Sequence, residues 1–289
     1  MAMAVQDHPK PTIAMVPNPV LIPITLGSAM FSLTEPFPGK AKEYNRWYER
    51  DHFFANGQQL PYFFTGRRFV ATGALKALRF LAPGNPVSED ARKGSFLHLY
   101  WVLPSSHEEW ITIGYQNFAD LEAHGRMEGS LRETIHTVTP AFRWSINRDH
   151  DGVPPEMALN HPYKGLVVTT AAAKEDTGNF DALDRWYREE HVPAKLAGSP
   201  IALAISMAPR LMPEIPSKFG GAMVSDPSRV EHDRLMHFWF LEEEPDAALW
   251  ERLFGRESEQ VAATGLGTLE FASPFIPTLP GTDKYIDEL

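Results

Sequence analysis

The sequence predicts an α+β chain built from two βαββαβ repeats, and three observations carry that expectation. The stretch Asn45-Arg46-Trp47-Tyr48-Glu49-Arg50-Asp51-His52 is answered by Asp184-Arg185-Trp186-Tyr187-Arg188-Glu189-Glu190-His191, with Trp186 standing 139 residues after Trp47. His98-Leu99-Tyr100-Trp101 is answered by His237-Phe238-Trp239-Phe240 at the same offset. Around these anchors, strand-like and helix-like segments follow one another in the same order in both halves. Two unrelated motifs keeping one offset across half a chain indicate a tandem duplication.

The elements follow in order. Ile24 to Glu35 is rich in β-formers and is closed by Pro36, Pro38 and Gly39, so it reads as a strand. Lys40 to Gln58 carries Tyr44, Trp47, Tyr48 and His52 at helical spacing. Tyr62 to Thr72 is a second strand, followed by a Pro/Gly-bearing insert through Gly94 and an apolar third strand, Phe96 to Leu103. A helical stretch is expected from Ser105 to about Thr139, broken near Gly125 and Gly129, with Ala141 to Asn147 as the fourth strand. The second half repeats this order. Lys164–Ala173 is a strand, Phe180–Leu196 a helix, Ile201–Arg210 a strand, Leu211–Asp233 an insert, Leu235–Leu241 a strand, Asp246–Ala263 a helix and Thr268–Phe275 a strand.

This order with right-handed crossovers gives a ferredoxin-like unit, a four-stranded antiparallel sheet with both helices on one face. The bare face must be covered, and two copies packed sheet to sheet cover both faces in one core. The expected fold is an intrachain dimeric α+β barrel. Its expected parts are an extended N-terminal arm (1–23), a first repeat (24–150), a linker rich in Pro (151–163), a second repeat (164–279) and a C-terminal tail (280–289).

Composition narrows the function. With 289 residues, 43% of them hydrophobic, the chain can bury a large core. Without Cys it can hold neither a disulfide nor a thiolate metal site nor a cysteine nucleophile. A net charge of −10 disfavours nucleic-acid and anionic-membrane partners. The first 23 residues lack a continuous apolar run and no stretch reaches membrane-spanning length, so a cytoplasmic protein with a small-molecule substrate is expected, with room for homodimer formation. There is no G-x-G-x-x-G, G-K-[ST], G-x-S-x-G or H-E-x-x-H, and no spacing that marks a metal site.

The motif Trp186-Tyr187-x-x-x-His191-x-Pro193 resembles the Trp-Tyr…His-x-Pro signature of EthD-like members of the dimeric α+β barrel superfamily. The first copy has Trp47, Tyr48 and His52 but Phe54 where the Pro would be. The resemblance implies the fold and a site at the end of the first helix of a repeat. It leaves the reaction open, because the superfamily includes cyclases, isomerases, dehydratases, cofactor-free monooxygenases and haem enzymes. Dye-decolorising peroxidases of this fold carry G-x-x-D-G, and the nearest segment here, Arg148-Asp149-His150-Asp151-Gly152, has Arg in the first position.

The side chains suggest proton chemistry. Tyr48 with His52, and Tyr187 with His191, lie four apart on a helix, with Trp47 and Asp51, or Trp186 and Glu190, on the neighbouring stripe. An imidazole oriented by a carboxylate suits proton transfer at neutral pH. His98 and His237 sit on apolar strand faces that could line a cavity within each half or between the halves. Arg67 or Arg68 could hold an oxyanion. His52 or His191 with its tyrosine is therefore expected as the acid/base pair, His98 or His237 as second proton carrier, and Trp47, Trp186, Tyr100 and Trp239 as flat walls for an apolar, aromatic substrate. The expected activity is a cofactor-independent lyase, with an isomerase second. A haem- or oxygen-dependent oxidoreductase and a non-catalytic binding protein are the alternatives.

Overall fold

The computed structural model describes residues 23–104, 107–175, 178–209 and 234–289. The expected arm, all but its last residue, Arg210 and the insert Leu211–Asp233 lie outside the described residues, as do the side chains of His107, Glu108 and Glu109.

Each half is βαββαβ. The first contains β1 (Ser28–Pro36), α1 (Ala41–Trp47) and β2 (Phe63–Val70), then an insert holding the short α2 (Gly73–Lys76) and β3 (Phe80–Leu81). It continues with β4 (Phe96–Val102), α3 (His107–Ala123) and a last strand in two pieces, β5 (Arg132–Val138) and β6 (Ala141–Asn147). The second half contains β7 (Gly165–Ala173), α4 (Asn179–Trp186), α5 (Val192–Leu196), β8 (Ile201–Ala208), β9 (Arg234–Leu241), α6 (Ala247–Phe254), α7 (Glu257–Ala263) and β10 (Gly267–Pro277).

Within each half the strands lie in ferredoxin-like order, β2-β4-β1-β5 and β8-β9-β7-β10. The last strand of each half then crosses over. β5 pairs β1 until Val138, and past Pro140 its continuation β6 pairs β8 of the other half. β10 pairs β7 along most of its length and ends against β2 through Ile276 and Pro277. These two reciprocal seams close the barrel and leave no open edge between the repeats.

One expectation fails in the first half: residues 132–138, read as part of a helix, form β5. The helix stops at Gly125 (φ +66°), where Gly125 N–H bonds Glu122 O and Arg126 N–H bonds Leu121 O. Beyond it Thr134, Ile135, Thr137 and Val138 are β-branched and favour extended backbone. The 246–263 helix is also two, α6 capped by Asp246, whose carboxylate accepts from Leu249 N–H at 2.7 Å, and α7 after a break at Gly255.

The barrel centre is filled. Phe31, Leu99 and Trp101 from the first sheet meet Phe238 and Phe240 from the second, with Phe271 and Phe275 beside them, all fully buried. The expected chamber between the sheets is therefore occupied by side chains. The alternate strand positions, His98 and Tyr100 on β4 and His237 and Trp239 on β9, face the helices instead. Asp151–Tyr163 runs across one end of the barrel, burying Leu159 and Tyr163 and accepting the Trp101 Nε1–H at Pro155 O, 2.9 Å.

Candidate functional site

In both halves the first helix changes pitch where the chemistry-bearing residues lie. α1 passes into π-helical segments at Tyr48–His52 and Phe54–Gln58, and α4 passes into one at Tyr187–His191. The wider turn puts residues five apart face to face. Trp47 stacks on His52 at 4.7 Å and Trp186 on His191 at 4.5 Å, while each tyrosine meets its histidine edge-on. An α-helical spacing would pair each tryptophan with a carboxylate. Asp51 instead bonds Arg126, and Glu190 is exposed.

Beneath α1, His98 is fully buried and stacked on Tyr48 at 3.8 Å. Its Nε2 is bonded by Tyr44 OH (2.7 Å) and Thr34 Oγ1 (3.0 Å). Tyr48 OH bonds Tyr100 OH at 3.1 Å, and the Tyr100 ring is pressed between Gly57 and Gly66. Burial, and then the Arg68 charge, hold the His98 imidazole well below its ordinary range. His52 has Asn56 Nδ2 at 3.4 Å from Nε2 and no carboxylate among the described residues; burial and three arginines bring it down to about 3. These groups stay neutral and enclosed. Tyr100 and Trp239, expected as substrate walls, are core residues because the helices cover that sheet face; Trp239 Nε1 donates to Thr169 Oγ1 at 3.0 Å.

Arg67 and Arg68 diverge as alternation requires. Arg68 is buried on the helix side, its Nη1 on Asn45 Oδ1 (2.9 Å) and Glu49 Oε1 (3.0 Å), with its guanidinium over the Tyr48 and Phe96 rings. Arg67 reaches the 151–163 stretch, donating to Leu159 O and His161 O.

The second half has different partners around equivalent histidines. Register places Thr169 and Ser206 beside His237 where Ser32 and Arg68 flank His98. Leu183 stands where the first copy has Tyr44, and His237 lacks the corresponding bonds: among the described residues both ring nitrogens are buried without a partner, as are Tyr187 OH and Ser206 Oγ. Burial lowers the His237 imidazole to about 3.

His191 has partners that His52 lacks. Its Nε2 bonds Glu257 Oε1 at 2.9 Å, and the other carboxylate oxygen accepts from Lys195 Nζ. Lys195 occupies the position of Asn56 in the first copy and lies over the Phe254 ring at 4.4 Å. Glu257 is fully buried. Burial alone would raise its carboxyl, but Lys195 and the His191 bond overcome that and hold it at about 2. His191 and Lys195 line a 370 Å³ cleft with Leu253, Arg252 and Gln260. The sequence motif points to His191. Glu257, 66 residues away at the start of α7, gives no signal, and Lys195 is noticeable only as the residue one turn after His191.

Neither the strand histidines nor the Nε2 of His191 fits haem. His98 Nε2 is taken by two hydroxyls, His191 Nε2 by Glu257, and the free nitrogens of His237 are covered by the Tyr187 ring at 4.1 Å with Trp144 and Trp239 beside it. An axial ligand needs open space on its lone pair. Among the described residues no group of three His, Asp or Glu side chains converges as a metal site would require, and no helix is long and apolar enough to cross a membrane.

The fold and geometry define a two-repeat α+β barrel with an asymmetric pair of candidate histidine sites, each within the first helix of its repeat where the pitch widens. No family model and no curated protein matches the chain. Solved structures match over most of its length. An anthrone oxidase-like protein superposes with TM-score 0.52 at 9% identity, covering 88% of this chain and 92% of its own. A provisionally assigned chlorite dismutase gives 0.50 at 11%, covering 92% and 100%. A single-substitution variant of DypB from Rhodococcus jostii RHA1, in complex with heme, gives 0.49 at 11%, covering 90% and 95%. At such identities the likeness is one of fold alone, an α+β barrel of ferredoxin-like sheets.

Proposed function

We propose that the chain is an oxygen-dependent, cofactor-independent oxidoreductase of EthD-like descent that works by proton abstraction in the second repeat. The observation that carries this reading is the His191–Glu257–Lys195 array at the wall of the 370 Å³ cleft. Glu257 fixes the Nε2–H tautomer, which leaves Nδ1 to take a proton, and then stabilises the imidazolium. Lys195 neutralises Glu257, so proton uptake places one new positive charge beside a substrate that has become an anion. Arg252 and Gln260 on the cleft wall can receive its oxygen. The substrate class is a small aromatic C–H acid whose acidic CH₂ adjoins a carbonyl or aryl group. Molecular oxygen, as co-substrate, then oxidises the carbanion, R₂CH₂ + O₂ giving R₂C=O + H₂O.

The lyase and isomerase outcomes expected from sequence share the deprotonation and differ only in the fate of the anion. The name of the anthrone oxidase-like neighbour supports oxidation. The test is oxygen uptake with a panel of aromatic C–H acids. The wild type should consume oxygen with substrate, and His191→Ala should lower kcat by at least ~10², the usual scale of a general base, while His52→Ala retains activity. Substrate turnover that proceeds unchanged without oxygen would return the reading to a lyase or isomerase. Full activity in His191→Ala would remove the proposed base.

A further inference from the structure

The first repeat has its own 330 Å³ cleft, lined by Glu49, Phe53, Phe54, Arg67, Asn160 and Thr278 among others, and Arg68 forms part of the same wall. Nothing in the second-repeat chemistry uses it. Arg67 is fixed in place: its Nη1 donates to Leu159 O (3.2 Å) and His161 O (2.6 Å), and its Nε and Nη2 make no hydrogen bond among the described residues. Arg68 is 4% exposed, and although Nη1 is bound by Asn45 and Glu49, Nε and Nη2 have no partner among the described residues. Two guanidiniums and one carboxylate leave the cleft one positive charge in excess, and a half-buried cation without a counter-ion gains from an anion.

Beside Asn160 and Thr278, the cleft has an aromatic wall. Among the described residues Phe54 is one of the few large hydrophobic side chains left exposed (48%), and its ring meets Phe53 edge-on at 5.6 Å, with Phe53 in turn 5.4 Å from Tyr100. The C-terminal tail holds the opposite wall in position. Gly281 N–H donates to Glu49 Oε2 (2.9 Å), Asn45 Nδ2 to Thr282 O (2.9 Å), and Arg46 pairs with Asp283 (2.6 Å). A pre-positioned guanidinium with free N–H groups matches the fork of a carboxylate, and a single excess charge matches a monoanion.

We propose that this cleft is a second binding site, for a small aromatic monocarboxylate, with Arg67 as its anchor and Phe53 and Phe54 as its ring-contacting wall. The test is calorimetric titration of the full chain with benzoate, with benzamide as the neutral isostere. Benzoate should bind and benzamide should bind at least ~10-fold more weakly, the scale of one charge-assisted hydrogen bond. Arg67→Gln should weaken benzoate by a similar factor. Because Arg67 also ties the 151–163 stretch, Phe54→Asp gives an independent arm: the side chain is exposed, so the fold is kept, and the added carboxylate should abolish benzoate binding. His191→Ala should leave benzoate binding unchanged even if the proposed oxidase activity is never found. Absence of binding at millimolar benzoate, equal affinity for benzamide, or loss of binding only in His191→Ala would overturn the proposal.

Discussion

Acidification below pH 6.5 should destabilise this fold before its carboxylates begin to titrate. His52, His98 and His237 are buried, and all three imidazoles are held in the neutral form: His52 and His237 are lowered to about 3 and His98 well below its ordinary value, in each case chiefly by loss of water. Above pH 6.5 both folded and unfolded chains carry them neutral, and their full contribution to stability is present. As pH falls from 6.5 towards about 3, the unfolded chain binds protons that the folded chain refuses, so stability falls by about 1.4 kcal/mol per pH unit per group. At pH 5 His52 and His237 have each removed roughly 2 kcal/mol, together about 4 kcal/mol, a large part of the 5–15 kcal/mol typical of a domain, and His98 acts in the same direction. Glu257, held at about 2, has the opposite history, since its stabilisation is intact above ~4.5 and is lost only as pH falls towards about 2. Urea unfolding followed by circular dichroism from pH 7.5 to 5 should therefore give a slope of at least ~3 kcal/mol per pH unit below pH 6. His237→Gln should reduce that slope by about 1.4 kcal/mol per pH unit, the share of one titrating group. A stability at pH 5 within about 1 kcal/mol of that at pH 7.5 would refute the assignment of these rings as buried and neutral.

Two further outcomes follow from the packing. Glu257→Gln leaves the Lys195 ammonium buried without its counter-charge and should cost about 3–5 kcal/mol in a chemical-denaturation experiment; a loss below ~1 kcal/mol would mean that water reaches Lys195. Gly66→Ala places a methyl 2.4 Å from the Tyr100 ring, which is already confined by Gly57. It should destabilise by about 1–3 kcal/mol, and a neutral effect would show that Tyr100 has room to rotate.

The sequence reveals the duplication, the strand order within each half and the histidines of both motifs, because each rests on local periodicity or on a repeated word. It conceals what depends on contacts between distant segments. Alternation groups the face of β4 and β9 that carries His98 and His237, yet alternation cannot say whether helices or a second sheet will cover it. The π-helical pitch at Tyr48–His52 and Tyr187–His191 defeats the four-residue spacing, so Trp47 and Trp186 lie beside imidazoles and not beside the carboxylates that spacing suggests. Glu257 belongs to the candidate site only because α7 returns to the end of α4, a contact that no local pattern announces. Residues 132–138 escape a periodicity reading because the long helix before them carries its pattern past Gly125, where the chain in fact turns into a strand.

The reciprocal strand exchange through β6 and β10 joins the two copies within one polypeptide. In an association of identical chains, every substitution is made at both ends at once, and a carboxylate gained at one histidine is gained at its twin. Here Asn56 stands in one copy and Lys195 in the other, and Tyr44 satisfies a ring nitrogen while Leu183 leaves its counterpart unbonded among the described residues. Two copies in one polypeptide are thus not bound to act alike, and each cleft can be shaped for its own ligand.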